Sequence, residues 1–236
     1  MLFNYINSSE KVVNKNCMLA STKKTGILFC CMYSAFFCTW CILFFTMKIL
    51  VLSDIHGSAD CLSTALSSFS DIDLLLLCGD YLNHGPRNPL PEGWNPKGVA
   101  SILNPLSEKI ISVRGNCDSE VDEMVLTFPC LNAYSNLFFP TAERKLNGRI
   151  FVHHGHLYDR EKLKSWLPKG TLVVSGHTHV TVMEEDGGLF FFNPGSISLP
   201  KCDDGKTCGL IETDENGIKR ISLCSIDGPV IRSIEF

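Results

Sequence analysis

From Met47 onward, short runs that are apolar at nearly every position alternate with stretches in which apolar residues recur every three or four positions. Lys48 to Ser53 is one such run and Asp73 to Cys78, with four consecutive leucines, is another. A strand apolar on both faces is buried on both faces, so these runs predict central strands of a mixed α/β sheet. Between them, Ser58 stands where it can cap a helix whose Cys61, Leu62, Ala65, Leu66 and Phe69 share one face. The stretch from Tyr81 to Asn95 is rich in Pro, Gly and Asn and predicts a loop. Val99, Ile102, Leu103 and Leu106 then predict a second helix, and Lys109 to Val113 a third strand.

In the second half the period shortens. Arg149 to Val152 reads as a strand entered through Asn147-Gly148, a hairpin signal, and Thr171 to Val174 as another. Val180 to Glu185 can pair with Leu189 to Phe192 across Asp186-Gly187-Gly188, and Cys208 to Thr213 with Ile218 to Leu223 across the turn at 214–217. Helices in the first half and strands throughout predict an α/β fold: a four-layer α-β-β-α sandwich of two mixed sheets flanked by helices.

Composition limits the partners. The chain has 236 residues, is 45% hydrophobic and carries a formal charge of -4 with no basic run, which suits one substantial domain and excludes tracking of a nucleic-acid backbone. Of twelve cysteines, five lie before residue 47 (Cys17, Cys30, Cys31, Cys38 and Cys41), and the other seven are an odd number without framework spacing. Cys61, Cys78, Cys130 and Cys224 stand in apolar surroundings, as buried free thiols do, and a reducing, cytoplasmic setting is expected.

The first 46 residues fit that setting poorly. Gly26 to Met47 is an uncharged, mostly apolar stretch of 22 residues behind Lys23 and Lys24, long enough to span a bilayer. No small-x-small cleavage site is present near Phe44-Phe45-Thr46. Met47-Lys48-Ile49-Leu50 runs straight into the first core strand with no linker, so we read residues 1–46 as an upstream translated extension and residues 47–236 as the domain. A single-pass anchor through residues 26–47 is the alternative.

The polar residues that interrupt the strands carry the chemistry. Asp54-Ile55-His56, Gly79-Asp80, Gly115-Asn116-Cys117-Asp118, His153-His154-Gly155-His156 and Gly176-His177-Thr178-His179 each follow an apolar run directly. Strand ends are where open α/β sheets gather their ligands. Carboxylate, amide and imidazole together form a donor set for transition metals.

In this order the five clusters resemble the calcineurin-like metallophosphoesterase superfamily. Ser53-Asp54-Ile55-His56-Gly57, Asn83-His84-Gly85-Pro86-Arg87-Asn88, the run from Arg114 to Asp122 and Phe192-Asn193-Pro194-Gly195-Ser196 look like its bacterial YfcE-type phosphodiesterases. The resemblance covers residues 47–236. It implies the metallo-dependent phosphatase fold and two divalent metal ions, Mn²⁺ being the one expected. Asp54, His56 and His179 would hold one ion, Asn116, His154 and His177 the other, with Asp80 shared. It also implies in-line attack on a small phosphodiester by a hydroxide bridging the metals, with Asp80, Asn116 and His154 counted as catalytic.

The resemblance has one departure: related enzymes usually have His where this chain has Cys117, and a thiol is a poor general acid near neutral pH. Cys117 reads as a packing residue behind Asn116, and Asp118 as an acceptor that orients a ligand histidine. His84, Arg87 and His156 are candidate substrate contacts, while His153 should face away from the metals because neighbouring strand residues point to opposite sides. A non-catalytic phosphatase-fold scaffold, a nuclease and a membrane-tethered phosphoesterase on lipid-linked substrates are the competing functions. Homo-oligomerisation is left open.

Overall fold

The computed structural model describes residues 17–21, 28–32, 46–141 and 145–236. By its contacts the chain divides into two units, Met1–Phe45 and Thr46–Phe236. In the first, β1 (Cys17–Ser21) pairs antiparallel with β2 (Leu28–Met32). Leu28–Met32 is therefore extended, not part of the bilayer-spanning helix that the length of Gly26 to Met47 predicts; residues 26–27 and 33–45 of that stretch lie outside the described residues, and Met47 opens the next strand. Among the described residues no helix is long and apolar enough to cross a membrane.

The second unit begins with β3 (Met47–Leu52), α1 (Ala59–Ser68), β4 (Leu74–Leu77), α2 (Pro96–Leu103) and β5 (Ile110–Ser112), followed by the short α3 (Glu120–Glu123). It continues through β6 (Tyr134–Phe138), β7 (Arg149–His153), α4 (Arg160–Trp166), β8 (Leu172–Val174), β9 (Val182–Asp186) and β10 (Leu189–Asn193). A meander of β11 (Thr207–Asp214), β12 (Gly217–Ser225) and β13 (Val230–Glu235) ends the chain. Two mixed sheets result, with orders β13-β12-β11-β3-β4-β5 and β6-β7-β8-β10-β9. β3, β4 and β5 run parallel, as do β7, β8 and β10.

Strand alternation builds the layers. Ile49, Val51 and Leu76 face Ile150, Val152, Leu172, Val174 and Phe192 between the sheets. Their neighbours Leu50, Leu52, Leu75 and Leu77 turn outward to Leu62, Ala65, Val99 and Leu103 of α1 and α2. On the far side Phe151, Val173 and Phe191 pack on Leu163 and Leu167 of α4 and its C-cap. Each such side chain, taken fully out of water, contributes about 1.5–3 kcal/mol. The predicted four-layer α-β-β-α sandwich is what forms.

Local signals act as their chemistry requires. Ser58 is the N-cap of α1 and accepts from the Cys61 amide, and Asn95 does the same for α2 at Gly98. The hairpin signal at Asn147-Gly148 is only partly realised: β6 and β7 are antiparallel partners, but residues 139–148 connect them. Gly148, at φ +74°, closes that loop by accepting from the Phe139 amide.

Candidate metal centre and substrate cleft

All seven predicted ligands follow the C-terminal ends of parallel strands: Asp54 and His56 after β3, Asp80 after β4, Asn116 after β5, His154 after β7, His177 and His179 after β8. The loops bearing them leave the sheets by a sharp reversal. Among the described residues, five non-glycine residues have positive φ: Asp54 (53°), His56 (49°), Asp80 (57°), His177 (70°) and His179 (60°). Each costs on the order of 1–3 kcal/mol, a cost that concentrates at functional sites because the surrounding structure must hold it. Here every one of them is a candidate ligand.

What holds the strain is visible in the hydrogen bonds. The Asp54 carbonyl accepts from Ser196 Oγ at 2.7 Å and Ser198 Oγ at 3.0 Å. Asn193 Nδ2 donates to the Gly176 carbonyl at 2.7 Å and to Thr178 Oγ1 at 3.1 Å. The Asn-Pro-Gly-Ser segment after β10 thus ties down the loops after β3 and β8. Gly115 is required by close approach: a Cβ there would collide with the Asp80 carboxylate and backbone.

Three ring nitrogens are fixed by carbonyl partners. Nδ1 of His56 donates to Asn83 O (2.9 Å), that of His154 to Cys78 O (2.6 Å) and that of His179 to Leu199 O (2.6 Å). A carbonyl only accepts, so each Nδ1 carries a proton and each ring turns its Nε2 toward the centre; for His56, whose pKa burial lowers, that Nε2 is a bare lone pair. His56 Nε2 and His179 Nε2 nonetheless face each other at 3.1 Å, and Asp54 Oδ1, 3.3 Å from His179 Nε2 and 3.7 Å from His56 Nε2, is buried with no hydrogen-bond partner. His154 Nε2 likewise faces Asn116 Oδ1 at 3.1 Å, and His177 Nδ1 is 2.6 Å from the same oxygen.

Lone pairs turned on one another repel unless positive charge lies between them. Ligands about 2.0–2.2 Å from one cation are roughly 3–3.5 Å apart, close to the spacings found here. The donor set therefore fits divalent metal on its own geometry. The same demand for positive charge appears in His154: burial alone would depress it, but the hydrogen bond and charge of Asp80 and the charge of Asp54 push it up to about 9. Asp80 is held below the usual carboxylate range, because His154, the Cys117 amide and His56 outweigh the opposing effect of burial.

Asp80 stands between the two groups. Its Oδ1 accepts from the Cys117 amide at 2.8 Å, which leaves Oδ2 at 3.7 Å from His56 Nε2 and 3.5 Å from His154 Nε2. Asp118 does not orient a histidine as the sequence predicts. It accepts from the backbone amides of Asp80 (2.8 Å), Tyr81 (2.9 Å) and Gly115 (2.6 Å), so it positions the Asp80 loop instead. Burial and the charge of Asp80 raise its carboxyl to about 7.

A cleft of about 750 Å³ opens over the centre, lined by Asp80, Asn116, His177, His179 and the loop from Asn83 to Pro89. Arg87 lines it. His84 does not: it turns to the other side of the loop, edge-on to Trp94 at 6.0 Å, because Gly85 (φ +76°) reverses the chain just after it. His156 also lies off the cleft and packs edge-on to His154 (5.3 Å between centroids). His153 faces away as expected, against Phe151 and Tyr158.

Cys117 meets Asn116, whose Nδ2 donates to its Sγ at 3.2 Å, but it is not confined to packing. It lines the cleft, and its Sγ groups with ligand atoms of His56 and Asp80 within 4.8 Å. Burial, then the nearby Asp80, push its thiol up to about 12. The cleft further contains Thr178, the spacer of the Gly176-His177-Thr178-His179 cluster, and Lys201, which no motif had singled out. Nor could residue types reveal the carbonyls of Asn83, Cys78 and Leu199, since any residue can supply one.

Comparison with known proteins agrees with this geometry. The family model for the calcineurin-like phosphoesterase superfamily domain matches residues 47–216. The phosphodiesterase YfcE of Escherichia coli K12 is 44% identical over 170 residues, spanning 71% of this chain and 89% of that protein. A solved structure of the E. coli YfcE phosphoesterase superposes with a TM-score of 0.70 at 39% identity, covering 80% of this chain and 99% of the other. A zinc complex of Vps29 from Entamoeba histolytica, at 22% identity and a TM-score of 0.54 over 80% of this chain and 99% of that one, shares the fold.

Proposed function

The chain belongs to the calcineurin-like phosphoesterase superfamily, and on that premise we propose that it is a divalent-metal-dependent phosphodiesterase acting on small phosphodiesters by in-line hydrolysis. The observation that carries the reading is the facing pair of Nε2 lone pairs on His56 and His179 beside the unpartnered Asp54 Oδ1. Asp54, His56 and His179 would hold one cation, Asn116, His154 and His177 a second, and Asp80, through the oxygen that faces both sets, would be shared. When bound, two such cations lower the pKa of an attacking water and draw negative charge from the phosphate oxygens.

The protein's own groups do the positioning. Carbonyls anchor Nδ1 of three histidines, so their Nε2 atoms are aimed before any ligand arrives. Asp118 and the Cys117 amide set the orientation of Asp80. Arg87, on the cleft wall, would meet a phosphate oxygen. Cys117 stays protonated but, with its pKa near 12, is too weak an acid to protonate an alkoxide leaving group near neutral pH. The site then favours esters whose leaving group needs no proton.

A scaffold role is disfavoured because each of the seven positions carries a competent ligand type. We place the activity in a reducing, cytoplasmic compartment, a reading supported by seven free cysteines among the described residues. The test is hydrolysis of bis(p-nitrophenyl) phosphate against p-nitrophenyl phosphate by the purified chain with Mn²⁺. The diester should be the better substrate by kcat/KM. Hydrolysis of the monoester alone would overturn the diesterase reading.

A further inference from the structure

With two divalent cations bound, the cleft would hold more positive charge than one phosphodiester can use. Asp80 is the only carboxylate among its lining residues, and that carboxylate is turned to the metal ligands. Arg87 and Lys201 line the same cleft, and among the described residues neither forms an ion pair with a carboxylate that would neutralise it there. Two divalent cations would bring four positive charges. Asp54, Asp80 and an attacking hydroxide would offset three of them, and Arg87 and Lys201 would add two more. A simple diester carries one negative charge. The surplus is electrostatic selection for a ligand with a further anion.

Lys201 is also held at a fixed place beside the centre. Its amide donates to the His179 carbonyl at 2.9 Å, and the carbonyl of Leu199, two residues before it, accepts from His179 Nδ1 at 2.6 Å. The segment that sets the imidazole of His179 thereby sets the root of the lysine. The side chain is exposed and needs no other partner to be displaced when an anion enters. The cleft, at about 750 Å³, is also far roomier than a phosphate group needs.

Resting on the phosphodiesterase reading, we propose that Lys201 determines specificity, gripping a second anionic group of the substrate while the metal centre and Arg87 take the scissile phosphate. The substrate class is then a phosphodiester that bears another phosphate or an equivalent anion, such as a phosphorylated nucleotide ester.

Binding rather than turnover separates this from the parent reading. The full chain loaded with Mn²⁺ is titrated calorimetrically with adenosine 5′-monophosphate, adenosine 5′-diphosphate and adenosine 3′,5′-bisphosphate. One of the two doubly phosphorylated probes should bind about tenfold more tightly than the monophosphate, the range of a charge-assisted contact. Lys201→Ala should bring that ratio to within about threefold, Lys201→Arg should keep it, and Arg87→Ala should weaken all three probes together. A wild-type ratio near one, or a ratio that survives Lys201→Ala, overturns the proposal. Loss of hydrolysis of bis(p-nitrophenyl) phosphate with the ratio intact would instead count against the diesterase reading alone.

Discussion

Single side chains in this protein are held by partners that leave one atom free. Asp80 spends Oδ1 on the Cys117 amide and turns Oδ2 to two histidines. Asp80→Asn keeps the shape but replaces one oxygen by NH₂ and removes the charge, so kcat should fall by roughly 10³-fold or more with bound metal reduced, read by steady-state kinetics and elemental analysis. Cys117 offers a separate test. Because its thiol is held at about 12, Cys117→His should raise turnover of poor-leaving-group diesters about tenfold or more relative to bis(p-nitrophenyl) phosphate, while Cys117→Ser should alter that ratio little. A large loss on Cys117→Ser, with fold and metal content retained, would make the thiol itself catalytic.

His153 gives the pH dependence of stability. Burial holds it down to about 4, well below its unfolded value of about 6.5. Above pH 6.5 it is neutral in both states. As pH falls from about 6.5 toward 4 the unfolded chain takes up a proton that the folded one refuses, and stability is lost over that window, on the order of 2–3 kcal/mol in all. His153→Phe should therefore lessen the fall in urea midpoint between pH 7 and 4.5. An undiminished fall would place the acid sensitivity elsewhere.

At the scale of elements, the site is a set of strand ends that meet because loops cross at close quarters. Gly115→Ala would set a methyl group against the Asp80 carboxylate, and metal uptake and turnover should both fall sharply, with a melting temperature lowered by several degrees. How much of this the sequence discloses follows from how each element is stabilised. β3 and β4 are buried on both faces and α1 has one apolar stripe behind a serine cap, so their patterns are legible. β6, β13 and α4 escape notice for the opposite reason: β6 and β13 are mostly exposed or half-exposed edge strands, and α4 buries only Leu163. The seven candidate ligands are legible because each interrupts an apolar run. His84 misleads because a glycine turn redirects it, and Lys201 is silent because it joins the cleft through backbone bonds to His179 rather than through a motif.

At the largest scale, the two sheets of the Thr46–Phe236 unit pack face to face so that loops from both converge on one edge, where nitrogen and oxygen ligand atoms are aimed at one another. That arrangement is costly unless cations complete it. On the proposed function cations do complete it, and catalysis depends on them. The decisive assay is activity of the purified chain on bis(p-nitrophenyl) phosphate after exhaustive chelation, followed by stepwise return of Mn²⁺. The stripped protein should show no turnover, and recovery should saturate at two metal equivalents per chain. Full turnover by the metal-free protein would contradict it.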